Sequence, residues 1–306
     1  MLRSVILAAA ANDRVKRWVS TLPVSRNVVG RYVAGESVDD AVAVVRSLAA
    51  DGLRSSLDRL GEYCVEPAQA ATTTSAYVEV LQRLHDEGLA GDSEVSLKLS
   101  AVGQLLDESL ARDCAAEICA AADAAGTTVT LDMEDHTTTE STLSILAEVR
   151  KEFPATGAVV QSYLRRTEGD CRELAHEGSR VRLCKGAYSE PESVAYQDKE
   201  DVDKSYVRCL NVLMAGDGHP MVATHDPRLV AIAGERARWY GRERGSYEFQ
   251  MLFGIRPDEQ RRLVDAGETM RVYIPYGDEW YGYLMRRLAE RPANVGFFLR
   301  SLTTKS

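Results

Sequence analysis

Met221-Val-Ala-Thr-His-Asp-Pro-Arg-Leu-Val-Ala-Ile-Ala-Gly-Glu-Arg-Ala-Arg-Trp-Tyr240 carries the reading that decides the fold. Residues 221–224 form a short run that suits a strand, and residues 228–240 are compatible with a helix. A strand passing at once into a helix is a βα unit, and the same rhythm recurs in both directions along the chain. Strand-like runs are expected at 53–60, 95–99, 127–131, 158–161, 181–184, 247–252 and 270–274. Helical stretches are expected at 75–87, 105–125, 141–152, 201–215 and 257–266. Alternation of this kind implies parallel pairing, and about eight repeats in about 250 residues fit a (β/α)8 TIM-type barrel. A doubly wound sheet would usually carry a GxGxxG turn after its first strand, and no such turn is present. Residues 38–50 are alanine-rich at helical spacing and stop at Asp51-Gly52. The expectation is an N-terminal helical arm over residues 1–50 and one α/β barrel domain over 51–306.

Bulk properties narrow the chemistry. The 306 residues are 45% hydrophobic and 27% charged, with a net charge of −9, which argues against nucleic acid as a partner. The six cysteines include no CxxC pair, and the five histidines include no HExxH or other metal spacing, so no metal site is expected. The apolar run at 5–11 is too short to span a membrane and leads straight into charged residues. A cytoplasmic, soluble protein without an integral membrane segment is expected.

In such a barrel the C-terminal strand ends face the active site, and here they are unusually polar. Lys98 alternates with apolar neighbours and is either an inward, paired cation or a rim lysine. Asp132, nearest its strand end, is favoured as the partner of Lys98, whereas Glu134 and Asp135 are assigned to structure or solvent. Arg182 and Lys185 lead into Gly186, where backbone can approach a ligand closely. His225 could serve as a base, a phosphate donor or a cap. After the last strand, Tyr283, Arg286, Arg287 and Glu290 share one helical face. Two adjacent guanidiniums suit a small anion, and the tyrosines Tyr273, Tyr281 and Tyr283 suit an amphipathic ligand with a carboxylate end.

Asp132-Met-Glu, Arg182-Leu-Cys-Lys-Gly-Ala-Tyr188, Thr224-His225, Phe249-Gln-Met-Leu-Phe-Gly254 and Tyr283-Leu-Met-Arg-Arg-Leu-Ala-Glu290 together resemble the bacterial monofunctional proline dehydrogenases, in order and from about residue 53 to 294. The resemblance implies a distorted (β/α)8 barrel holding FAD in its mouth, with the final helix over the flavin. It implies oxidation of L-proline to Δ1-pyrroline-5-carboxylate by hydride transfer from C5 to flavin N5, with electrons passed to a quinone. It further implies that Arg286, Arg287 and Lys98 hold the proline carboxylate while Tyr273, Tyr283 and Leu252 pack against the ring. On the same resemblance, Asp132 would organise the site and Arg182 would lie beside flavin N5. Met133, Gln161, Lys185, Gly186, Ala187, Thr224, His225 and Glu290 would contact FAD, and Glu62 would gate the site through an arginine of the last helix.

Tyrosine at 273 points to proline rather than hydroxyproline, since relatives that prefer the latter carry a smaller residue there. Cys184 departs from the usual valine and puts a thiol near the flavin. No second catalytic domain is read in the chain, so a separate pyrroline-5-carboxylate dehydrogenase takes the next step of proline degradation to glutamate. Peripheral contact with the inner membrane face is implied only by the quinone. Two other readings keep the barrel: a class I aldolase with a Schiff base on Lys98 or Lys185, and a non-catalytic amino-acid-binding barrel that uses the arginine pair as a clamp.

Overall fold

A computed structural model describes residues 29–61 and 63–290, apart from the side chains of Arg286, Leu288, Ala289 and Glu290. Its strands are β1 (Arg54–Arg59), β2 (Ser93–Lys98), β3 (Val129–Asp132), β4 (Ala158–Gln161), β5 (Arg180–Cys184), β6 (His219–Ala223), β7 (Glu248–Leu252) and β8 (Met270–Tyr276). All pair in parallel, in the order β3-β2-β1-β8-β7-β6-β5-β4. The two ends of that order meet at a single bridge, Thr130 to Gly157, through Leu131 N–H to Gly157 O (2.9 Å) and Gly157 N–H to Val129 O (2.7 Å). The barrel is therefore nearly closed, with a thin seam. A Cβ at 157 would overlap Thr130 Oγ1, so the seam closes only on glycine.

Strand register sorts the side chains by period two. The pairs Ser56 with Glu94, Lys98 with Asp132, Val159 with Arg182, Met221 with Glu248 and Gln250 with Arg271 put one polar-rich set inside the barrel. The alternate set, including Leu57, Val95, Leu97, Leu131, Leu183, Val272 and Ile274, is buried in the core shared with the outer helices. Each such aliphatic side chain contributes about 1.5–3 kcal/mol when fully buried. The apolar core thus lies between sheet and helices, which frees the interior for charge.

The helices are α1 (Val38–Ala50), α2 (Pro67–Asp86), α3 (Glu108–Ala125), α4 (Thr139–Val149), α5 (Thr167–Leu174), α6 (Lys199–Ala215), α7 (Pro227–Trp239), α8 (Pro257–Asp265) and α9 (Trp280–Glu290). Helix α1 opens on a capping box between Ser37 and Asp40 and packs Ala41, Val42 and Val45 into the barrel's core. Residues 1–28 of the expected arm lie outside the described residues.

Helix α2 begins eight residues before the expected 75, because Pro67 sits in its first turn and the following Ala/Thr stretch shows little apolar period. Helix α5 was not expected at all. Its Thr167-Glu-Gly-Asp-Cys-Arg-Glu-Leu174 is too short and polar to give a periodic signal, and it folds on tertiary support from buried Thr167, Asp170 and Cys171. Among the described residues no helix is long and apolar enough to cross a membrane.

Candidate active site

The barrel interior is built in charged tiers. At the lowest, Arg271 forks onto Glu248 (Nε to Oε1 2.8 Å, Nη2 to Oε2 3.1 Å), and Arg180 donates to Glu94 Oε2 (2.7 Å). Burial would raise Glu94, but Arg271, Arg180 and Arg182 outweigh it and hold the carboxyl at about 2. Burial likewise opposes ionisation of Glu248, and Arg271 and its neighbours hold it well below the ordinary range.

The middle tier is Arg182, which is 4% exposed. Its Nε donates to Gln250 Oε1 (2.5 Å), its Nη1 to Ser96 Oγ (2.8 Å) and Asp132 Oδ1 (2.7 Å), and its Nη2 to Ser56 Oγ (3.1 Å) and Glu94 Oε1 (3.0 Å). These five bonds match the five donors of a guanidinium. Gln250 is fixed in turn by donating to Glu248 Oε1 (2.6 Å).

The upper tier opens into the cavity. Tyr273 donates its hydroxyl to Asp132 Oδ2 (2.6 Å), and its ring lies 5.2 Å from the Arg182 guanidinium. Burial first, then Asp132 and Asp58, push the phenol well above its usual value, so it remains a donor. Lys98 Nζ donates to Asp58 Oδ1 (2.5 Å) and Tyr273 Oη (3.3 Å), and lies 3.6 Å from Asp132 Oδ2. Lys98 is thus an inward, paired lysine. Its nearest partner is Asp58, while Asp132 is taken up mainly by Arg182 and Tyr273. In these tiers four cations (Lys98, Arg180, Arg182, Arg271) face four carboxylates (Asp58, Glu94, Asp132, Glu248), a balance of zero.

Above them a cavity of about 1470 Å³ occupies the C-terminal mouth. Its lining brings together Lys98, Asp132, Met133, Gln161, Arg182, Lys185, Gly186, Ala187, Thr224, His225, Leu252, Tyr273, Tyr283 and Arg287, all named from sequence. Gly186 has φ +106° and packs so tightly on Tyr163 that a Cβ would overlap the ring. Lys185 is paired with Asp203 (2.5 Å) and Asp226 (3.2 Å). His225 Nε2 accepts the Leu252 N–H (2.9 Å), which puts the ring proton on Nδ1. Gln161 Nε2 donates to Glu134 O (2.8 Å).

Glu134 accepts from Ser100 N–H and Oγ at the cavity wall, and Asp135 accepts from Thr137 N–H. Cys184 lines the cavity, and burial pushes its thiol up to about 12, so it stays protonated. On α9, the Arg287 guanidinium lies 5.2 Å from the Tyr283 ring centroid, and both residues face the cavity. The side chains of Arg286 and Glu290, and all of Glu62, lie outside the described residues.

Sequence reasoning missed Asp58 as the partner of Lys98, and the lower tiers that hold Arg182. A signal existed. Ser56 and Asp58, Glu94 and Ser96, Arg180 and Arg182, and Glu248 and Gln250 repeat polar residues two apart within strands, the mark of a polar interior face.

The family described as proline dehydrogenase matches residues 41–300. The chain is 36% identical over 305 residues to Proline dehydrogenase 1 of Bacillus subtilis (strain 168), covering all of both chains. It is 40% identical over 313 residues to the Proline dehydrogenase of Deinococcus radiodurans, covering 99% of this chain and 98% of the other. Among solved structures it is similar to proline utilization A (PutA) from Bdellovibrio bacteriovorus inactivated by N-propargylglycine, with a TM-score of 0.80 and 24% identity. That likeness covers 93% of this chain and 38% of the longer one, and it is a likeness of fold.

Proposed function

We propose, for a chain that belongs to the proline dehydrogenase family, that the barrel mouth binds FAD and L-proline together and oxidises proline to Δ1-pyrroline-5-carboxylate. The observation that carries this reading is the Lys98–Tyr273–Asp132–Arg182 constellation on the floor of a cavity far too large for proline alone. At about 1470 Å³ the cavity exceeds the roughly 300–1,000 Å³ usual for drug-sized ligands. The walls fit a flavin dinucleotide: a buried thioether from Met133, the lining residues Gly186 and Ala187, the amide of Gln161, the hydroxyl of Thr224, His225 and the Lys185 cation. Glu290 would add a carboxylate from α9.

When bound, FAD would supply the two-electron acceptor that oxidation of proline at C5 requires, with a quinone as the onward acceptor. The protein's own residues supply position and charge. Lys98, Arg286 and Arg287 hold the proline carboxylate, which orients C5. Tyr273, Tyr283 and Leu252 pack against the ring. Arg182 and Tyr273 each hold one oxygen of Asp132, which orients its carboxylate on the cavity floor. The interior tiers carry no net charge, so the bias toward a neutral proline nitrogen, whose lone pair assists loss of the hydride, falls to the arginine pair of α9. Glu62 is assigned to the gate, pairing with Arg286. A separate pyrroline-5-carboxylate dehydrogenase receives the product, and the quinone acceptor brings the protein to a membrane surface from the cytoplasm.

A Schiff-base lysine is not favoured. Burial alone would lower the Lys98 ammonium, but Asp58 and Asp132 outweigh it and keep it charged, and Lys185 is held between two carboxylates. The test is the visible spectrum of the purified protein before and after anaerobic addition of L-proline. A flavin spectrum that bleaches is the expected result. A flavin that stays oxidised overturns the substrate, and a colourless protein that FAD cannot reconstitute overturns the cofactor.

A further inference from the structure

We propose that Asp58 is a positioning residue for the substrate, one that holds the Lys98 ammonium in place at the closed end of the cavity. The inference rests on the reading of Lys98 as a ligand of the proline carboxylate. Lys98 on β2 stands between two carboxylates, Asp58 on β1 and Asp132 on β3. Asp132 has both oxygens engaged, Oδ1 by Arg182 at 2.7 Å and Oδ2 by the Tyr273 hydroxyl at 2.6 Å. It lies 3.6 Å from Nζ. Asp58 is 1% exposed and meets Nζ at 2.5 Å. The second N–H of the ammonium points to the Tyr273 hydroxyl at 3.3 Å. An ammonium has three donors, so one remains for a ligand carboxylate in the cavity that Lys98 lines.

The lysine stem is flexible, and its charge is a point without the fixed fork of an arginine. Its shortest contact therefore decides where that third donor aims. The groups facing Lys98 are Asp58 from β1, Asp132 from β3, Glu134 just beyond β3 and Tyr273 from β8, with Arg182 from β5 behind Asp132. Burial alone would weaken the lysine's hold on its proton; Asp58 is the foremost group opposing this, ahead of Asp132. With Asp58 present, Lys98 stays cationic well into the alkaline range. Without it, the lysine loses its proton as pH rises, and a bound carboxylate loses its partner. Removing Asp58 also removes a negative charge near the ligand, which favours anions while Lys98 is still charged. The slope of affinity against pH, rather than affinity at one pH, is therefore the deciding readout.

Calorimetric binding of cyclopentanecarboxylate to the protein as purified with its cofactor measures this slope, because the ligand has the ring and carboxylate but no amine. Between about pH 7 and about pH 9.5 the wild-type Kd should change less than about twofold. Asp58→Asn should weaken binding by at least about fivefold over the same range. Asp58→Glu keeps the charge but displaces it, so its slope should stay flat while binding is about threefold or more weaker throughout. A flat slope in Asp58→Asn overturns the proposal. Should that variant not fold, wild-type affinity in Asp58→Glu overturns it instead. Lys98→Met separates the two readings. If it binds as tightly as wild type, the role of Lys98 fails and Asp58 with it. If it binds weakly while Asp58→Asn keeps a flat slope, only Asp58 fails.

Discussion

Arg182 commits all five of its donors inside the barrel, and this makes it the hinge between the charged tiers and the cavity. Its side chain orients Asp132, and Asp132 orients Tyr273. Lysine at 182 would keep the charge but could make at most three of the five bonds. Arg182→Lys should therefore lower kcat/KM for proline by about a hundredfold, the order expected for a misplacement of about 1 Å in an oriented site. It should also destabilise the fold by about 3 kcal/mol, because Glu94 and Gln250 lose buried partners. Steady-state kinetics with a denaturant titration check both, and unchanged kcat/KM would remove the residue from the site. Arg287, next to Tyr283 in the cavity wall, supports a different prediction. Arg287→Met should raise KM for proline at least about tenfold while the flavin absorbance of the purified protein stays the same, since a carboxylate clamp acts on binding.

At the scale of elements, the seam between β3 and β4 is the weak line of the barrel. One bridge joins them, and Gly157 is the residue that lets the backbones approach. Gly157→Ala should cost about 1–3 kcal/mol by overpacking against Thr130. Adding Thr130→Ala, which removes the nearest side-chain atoms, should recover part of the loss. Thermal denaturation of the single and double variants tests the seam, and additive losses would show that the two residues do not meet. Element existence was largely legible in sequence. All eight strands overlap the runs read from apolar pattern, while the first half of α2 and the whole of α5 escaped because polar, non-periodic residues carry no such signal.

For the molecule as a whole, an interior of balanced charge makes stability depend on acid. Glu94 ordinarily titrates near 4.5 and is held at about 2 in the fold. A lowered carboxyl contributes stability that is complete above about pH 4.5 and is lost as pH falls toward 2, worth roughly 3 kcal/mol for this group. Glu248 shifts in the same direction. Unfolding free energy should therefore drop steeply between about pH 4.5 and about pH 2, and Glu94→Gln should flatten that slope; an equal slope in the variant would show that the tiers do not bear on stability. The sequence by itself determined the alternation of strands and helices, the parallel barrel and the family, because these follow from local period and from ordered motifs. It also named most of the residues that line the cavity, since strand ends in a barrel converge on one mouth. Only the tertiary structure decided which charge meets which. Asp58 and Lys98 are 40 residues apart, and Arg182 and Glu94 are 88 apart. Pairing over such distances depends on barrel closure and strand register, which no local pattern specifies.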